Sequence, residues 1–197
     1  MTSELLLALM GFAFVSSITP GPNNLMLMAS GANFGLRRTI PHMLGISLGH
    51  SFMVTMVGLG LGQLFDAYPV ARMALQFIST AYLLYLAWKI ANAAPPREGE
   101  AQGKPFTFLQ AAAFQWVNPK AWTMALTAIS AYTPDQTLAS VGLVALIFGM
   151  VNLPSVSVWT VLGEQMARFL TSAAKLRAFN WLMAGLLVAS LYPVVWG

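Results

Sequence analysis

The chain has 197 residues, of which 57% are hydrophobic and only 8% are charged, and its mean hydropathy is +0.68. Soluble domains carry about 25% charged residues, so this composition excludes a globular protein with a water-facing surface. The net charge of +4 is therefore interpreted as loop charge rather than as the sign of a nucleic-acid partner, and the absence of cysteine excludes disulfides and thiolate metal sites.

Charge-free runs of the chain predict six membrane-spanning helices, because a span needs roughly 20 mostly apolar residues. The sequence thus predicts an all-α integral membrane protein with one domain, residues 1–197, and no cofactor. The first run contains Glu4 but no Lys or Arg, so we expect a retained helix rather than a cleaved secretory signal. The six predicted helices lie near 4–30, 39–63, 68–91, 106–131, 137–165 and 176–196.

The first predicted helix contains an interruption, Pro20-Gly21-Pro22-Asn23-Asn24. Proline removes a backbone donor and frees a carbonyl one turn earlier. In lipid, such groups persist only where protein or a water-filled cavity satisfies them. We interpret the interruption as an opening that offers backbone amides and the side chains of Asn23 and Asn24 to a polar solute. The alternative is a kink without a function.

In the second predicted helix, residues 45–49 read GISLG and match the G-x-S-x-G elbow of serine hydrolases. That elbow needs a strand-turn-helix context and a histidine from elsewhere, whereas His42 and His50 lie on this same helix. We therefore interpret Gly45 and Gly49 as a close helix-packing pair. For His50 two roles stay open, since it could carry a proton or bond to a neighbouring helix.

A hydrophilic linker, residues 93–104, follows the third predicted helix. It divides the chain into two repeats, 1–92 and 105–197, with three predicted helices each. Because three is an odd number, the two repeats must lie in opposite orientations in the membrane. An inverted repeat with a broken helix in each half is typical of a secondary transporter.

The fourth predicted helix has its own interruption, Asn118-Pro119-Lys120, at a depth similar to that of the first. Lys120 is the only formal charge well inside a predicted span, and such residues are costly and usually functional. Its alternatives are a side chain that reaches the membrane interface or one that caps carbonyls freed by Pro119. In the fifth helix, Asn152 and Pro154 either line the same cavity or only kink the helix.

The basic residues predict the orientation of the chain, because short loops rich in Lys and Arg stay in the cytoplasm. Eight of them fall on the side of the linker, and Arg72 alone falls on the other. We therefore expect a cytoplasmic linker and two periplasmic termini. The eight are Arg37, Arg38, Lys89, Arg97, Lys104, Arg168, Lys175 and Arg177.

Four motifs, spread in order over the whole chain, carry a resemblance to a known family. They are TPGPNN (19–24), GISLG (45–49), YLLYLAWK (82–89) and QWVNPKAW (115–122). Together they resemble the lysine exporter (LysE/RhtB) family of bacterial amino-acid efflux proteins. The resemblance implies six helices, a bacterial inner-membrane location, and export of amino acids or similar metabolites driven by the proton gradient. It also implies a transport path around Pro20, Gly21, Pro22, Asn23, Asn118, Pro119 and Lys120.

The sequence is thus interpreted as a secondary transporter in the lipid bilayer that exports amino acids, with protons as the coupling ion. No Asp or Glu lies at mid-membrane, so the predicted substrate is a neutral zwitterion rather than lysine or arginine. The predicted path also includes Asn24, His50 and Asn152. The alternatives are an intramembrane serine hydrolase that uses Ser47 and an accessory structural protein, and the sequence leaves a homo-oligomer open.

Overall fold

A computed structural model describes residues 1–93, 104–135 and 137–192, without the side chains of Leu64 and Asp66. Within these ranges all the regular structure is helical. Most of the predicted linker and the C-terminus at Gly197 lie outside the described residues. Among the described helices, three stretches are long and apolar enough to cross a membrane. They are Pro22–Leu61, Pro69–Ala91 and Leu138–Ala167.

The first predicted helix is divided in the structure into α1, Ser3–Ile18, and the beginning of α2, Pro22–Met56. Helix α1 begins where the Thr2 hydroxyl accepts a hydrogen bond from the Leu5 amide. It ends before Thr19, which has φ −65° and ψ 148°, because a residue that precedes proline avoids the helical region. Proline is favoured at the first position of a helix, where no amide donor is needed, so α2 begins anew at Pro22. The interruption predicted from the sequence is confirmed at this point.

Helix α2 also contains most of the second predicted helix, and a kink with non-helical backbone separates its two segments. It bends at Gly35, where φ is 77° and ψ is 167°, a conformation that only glycine adopts without strain. The Glu164 carboxylate accepts a hydrogen bond of 3.0 Å from the Leu36 amide and so caps the segment after the bend. A π-helical turn, Val57–Leu61, extends α2.

The short helix α3, Gln63–Ala67, leads to α4, Pro69–Ala91, which corresponds to the third predicted helix. The fourth is divided like the first. Helix α5, Phe108–Phe114, continues in a 3-10 turn at Gln115–Val117, and α6, Pro119–Tyr132, follows after the extended residue Asn118. The predicted interruption at Asn118-Pro119 is therefore also confirmed.

Helix α7, Leu138–Ala167, passes through Pro154 without leaving the helix, and α8, Ala173–Ala189, follows it. Helix α7 packs along α2 and α1, whereas α4 packs on α8 and α5 packs on α2. Buried apolar side chains form three clusters. One joins α1, α6 and α7 to the end of α2, one joins α4, α5 and α8 to its beginning, and one lies between α2, α5 and α7. The six-span inverted repeat itself stays a prediction.

Two glycines allow α2 and α7 to approach each other closely. A Cβ added at Gly31 would meet the carbonyl of Thr160, and a Cβ added at Gly163 would meet the carbonyl of Met28. Both neighbours are backbone atoms of the facing helix, which cannot turn away as a side chain would. The crossing of α2 and α7 is thus possible only without side chains at these two positions.

Candidate functional site

The interruptions of the two broken helices meet at one small cavity between α1, α2, α6 and α7. Its volume is about 20 Å³, which is room for about one water molecule. Seven of the ten residues predicted for the transport path line it, while Pro20, Pro22 and Pro119 do not. The seven are Gly21, Asn23, Asn24, His50, Asn118, Lys120 and Asn152.

Lys120 joins the two halves of the chain at this cavity. Its ammonium donates to the Thr19 carbonyl at 2.8 Å, to the Thr19 hydroxyl at 3.0 Å and to the Pro20 carbonyl at 3.2 Å. The sequence-based alternative placed Lys120 on carbonyls freed by Pro119. In the structure it caps carbonyls freed by the break in the other half. All three ammonium donors are thus used, and the side chain is half-buried.

Gly21 leaves the space through which the Lys120 side chain passes. A Cβ at Gly21 would lie 2.7 Å from Lys120 Cδ and 3.1 Å from its Nζ. The φ of Gly21 is 176°, an extended conformation that any residue can adopt. Glycine at this position therefore makes room for Lys120, and the backbone conformation does not require it.

Two helices begin at the cavity. The N-terminus of α2, at Gly21, has no side-chain cap. The N-terminus of α6 is capped by Asn118, whose side-chain oxygen accepts a hydrogen bond of 3.2 Å from the Lys120 amide. Helix N-termini carry partial positive charge and attract anions. Together with the Lys120 ammonium, they make this end of the cavity suitable for a carboxylate.

The C-terminus of α1 lies at the same cavity and is capped by side chains from other elements. The Asn24 amide donates to the carbonyls of Ser17 and Thr19 at 2.8 and 2.7 Å. The Trp159 indole donates to the Ile18 carbonyl at 2.9 Å. The break in α1 is therefore satisfied by protein groups, as the low dielectric of a membrane requires.

Asn23 is paired with a residue that sequence reasoning missed. Its side chain donates to Gln115 at 2.8 Å and accepts from Gln115 at 3.2 Å. The Gln115 amide also donates to the Ala111 carbonyl at 2.9 Å. A glutamine beside apolar and aromatic residues in a predicted span is the sequence signal that could have indicated a buried polar pair at Gln115. In this conformation Asn23 joins the two halves, so a solute must compete with Gln115 for it.

Two side chains at the cavity have polar atoms without partners. Asn152 donates to the Ser17 hydroxyl at 3.1 Å, but within the described part of the chain its Oδ1 has no hydrogen-bond partner. Neither nitrogen of His50 has one either, and its ring lies against Phe148 at 5.2 Å between centroids. His50 is 1% exposed and Asn152 is 4% exposed. Buried polar groups normally have hydrogen-bond partners, so these atoms are free to bind a polar ligand.

The GISLG segment, residues 45–49, precedes His50 directly but does not line the cavity. A Cβ at Gly45 would meet the Phe108 carbonyl, and one at Gly49 would lie 2.6 Å from the Cα of Ala112, so α2 and α5 are in close contact here. The Ser47 hydroxyl donates to the Gly149 carbonyl at 3.1 Å. A serine hydrolase would instead need this hydroxyl to donate to a base.

A family model described as LysE type translocator matches residues 9–191 of the chain. The chain is also similar to the "Cysteine/O-acetylserine efflux protein" of Escherichia coli (strain K12) and to the protein of the same name in Shigella sonnei (strain Ss046). Each is 33% identical to it over 193 residues, which is 95% of this chain and 96% of the relative. No solved structure matches the chain.

Proposed function

The chain belongs to the LysE type translocator family, and on this premise we propose that it exports small neutral amino acids or related metabolites across the bacterial inner membrane. The observation that carries this proposal is the half-buried ammonium of Lys120 at a cavity where two broken helices begin. Such a constellation suits the carboxylate that all amino acids share. The names of the relatives, which specify cysteine and O-acetylserine, agree with a small neutral solute.

The proposed mechanism begins with competition for Lys120. In this structure its ammonium is held by the carbonyls of Thr19 and Pro20. A substrate carboxylate, which is charged, forms stronger hydrogen bonds with an ammonium than neutral carbonyls do. Transfer of Lys120 to the substrate weakens the contact between α1 and α6. Since the cavity has only about 20 Å³, the two halves must separate before the solute can enter.

We further propose that the chain forms six spans in two inverted repeats and works by alternating access driven by the proton gradient. The broken helices at Pro20–Pro22 and Asn118–Pro119 occupy similar positions in the two halves. Half-helix ends at the repeat interface are where secondary transporters bind their solutes. The positions of the two breaks therefore support this arrangement.

Transport by inside-out vesicles tests the function, and we expect a preference for neutral amino acids. Among the described residues that line the cavity, Lys120 is the only charged one and no carboxylate is present. A cationic side chain would therefore enter without a counter-charge. Uptake of labelled cysteine should require the protein and a pH gradient, and unlabelled serine should compete better than lysine. Equal uptake by vesicles without the protein would refute the function, and stronger competition by lysine would refute the preference.

The orientation of the chain has a separate test. Because eight basic residues fall on one side and one on the other, both termini should be periplasmic and the linker cytoplasmic. A reporter enzyme that is active only in the periplasm should be active when it is fused after Gly197. It should be inactive when it is fused within residues 93–104. The opposite pattern would show that the orientation is reversed.

A further inference from the structure

The cavity has a second pole opposite in character to the first. The first pole consists of donors, namely the Lys120 ammonium, which the carbonyls of Thr19 and Pro20 hold in this structure, and the uncapped N-terminus of α2. The second pole consists of cavity-lining groups without partners that include acceptors, namely Asn152 Oδ1 and the imidazole of His50, which when neutral always has one nitrogen lone pair. The donors of the first pole suit a carboxylate, and the acceptors of the second suit an ammonium.

Both poles lie beside the end of α1. Asn152 donates to the Ser17 hydroxyl, and Ser17 lies in the last turn of α1. Lys120 donates to Thr19 and Pro20, which follow that helix. Ser17 and Thr19 lie within one turn of each other, about 5.4 Å along a helix. The two poles are thus anchored a short distance apart on the same helix end.

We propose that Asn152 and His50 bind the α-amino group of the substrate while Lys120 binds its carboxylate. This inference rests on the proposed function, since it assigns an orientation to the amino acid that the transporter would carry. It also assigns a role to the two buried side chains whose polar atoms have no partner within the described part of the chain. The amino acid would lie with its ammonium towards α7 and its carboxylate towards the start of α6.

The experiment uses two analogues of cysteine that each lack one charged group. 3-Mercaptopropionate lacks the amino group and cysteamine lacks the carboxylate. The inhibition constant of each analogue for uptake of labelled cysteine is measured in proteoliposomes of the full chain. It is then divided by the inhibition constant of unlabelled cysteine. Each ratio reports how much one pole contributes to binding.

In the Asn152→Ala variant, we expect the ratio for 3-mercaptopropionate to fall about ten- to a hundredfold, which is the effect of one hydrogen bond to a charged group. The ratio for cysteamine should stay unchanged. In the Lys120→Ala variant, the ratio for cysteamine should fall and the ratio for 3-mercaptopropionate should stay unchanged. Asn152→Asp keeps the volume of the side chain and adds a negative charge, so it should raise the ratio for 3-mercaptopropionate.

Asn33→Ala is the matched control, since Asn33 is on α2 but pairs with Asn180 and does not line the cavity; it should leave both ratios unchanged. Ratios for 3-mercaptopropionate that stay at the wild-type value in both Asn152 variants would overturn the assignment. So would equal changes in the two ratios, which would indicate a general collapse of the cavity. If the wild-type protein moves no cysteine at all, the proposed function fails, and this assignment fails with it.

Discussion

At low substrate concentration, transport by a Lys120→Ala variant is expected to be about tenfold to a hundredfold slower than wild-type transport. A hydrogen bond to a charged group contributes about 1.5–3 kcal/mol, and about 1.4 kcal/mol corresponds to a factor of ten in affinity. The variant also leaves the Pro20 carbonyl without its ammonium partner, whereas the Thr19 carbonyl keeps its hydrogen bond from Asn24. Each unsatisfied group costs about 1–3 kcal/mol, so the thermal midpoint should fall as well.

Because both effects act at once, transport must be expressed per folded molecule, measured by size-exclusion chromatography of the detergent-solubilised protein. Lys175→Ala is the control, since Lys175 is exposed and its contact at the start of α8 uses only its backbone amide. Lys175→Ala should transport at the wild-type rate. Wild-type transport by folded Lys120→Ala would show that the ammonium only caps the end of α1.

A single methyl group at Gly163 should destabilise the folded protein by about 1–3 kcal/mol or more, the usual cost of overpacking. The added Cβ would meet the carbonyl of Met28 on the facing helix, and the helices α2 and α7 would have to move apart. We expect Gly163→Ala to lower the thermal midpoint of the purified protein and to reduce its yield in the membrane.

Gly142→Ala is a control on the same helix. Gly142 is exposed, and a Cβ there meets nothing within 4 Å. Alanine is favoured over glycine in a helix interior by roughly 0.5–1 kcal/mol, so this variant should be as stable as the wild type or slightly more stable. If Gly163→Ala were equally stable, the close crossing of α2 and α7 would not exist in the folded protein.

The positions of the helix breaks could be predicted from the sequence because proline acts locally. Pro20 and Pro22 in the first predicted helix and Pro119 in the fourth each change the backbone within one turn. The bend at Gly35 was expected only as a loop between two helices. Its φ of 77° and ψ of 167° are not helical, so the chain does break between the two predicted helices. The cap supplied there by Glu164 could not be predicted, because Glu164 lies far away in the sequence.

The partners within the cavity could not be predicted in the same way. Lys120 and Thr19 are separated by 101 positions in the chain, and no periodicity indicates which carbonyls a buried ammonium reaches. Gln115 was missed for the same reason, because its pairing with Asn23 depends on how α2 and α5 pack. Sequence patterns identified which residues are unusual, and only packing determines which of them meet.

The central claim, that the cavity is the transport path, can be tested with a single introduced thiol. The natural chain has no cysteine, and Ala121 lines the cavity and is 2% exposed. Ala121→Cys protein in proteoliposomes is treated with N-ethylmaleimide, the excess is removed, and uptake of labelled cysteine is measured. The cavity must open to water during transport, so the thiol should be modified and uptake should stop, while the treated wild-type protein keeps its activity. Uptake that continues with the thiol fully modified, or with the thiol never accessible, would contradict a transport path through this cavity.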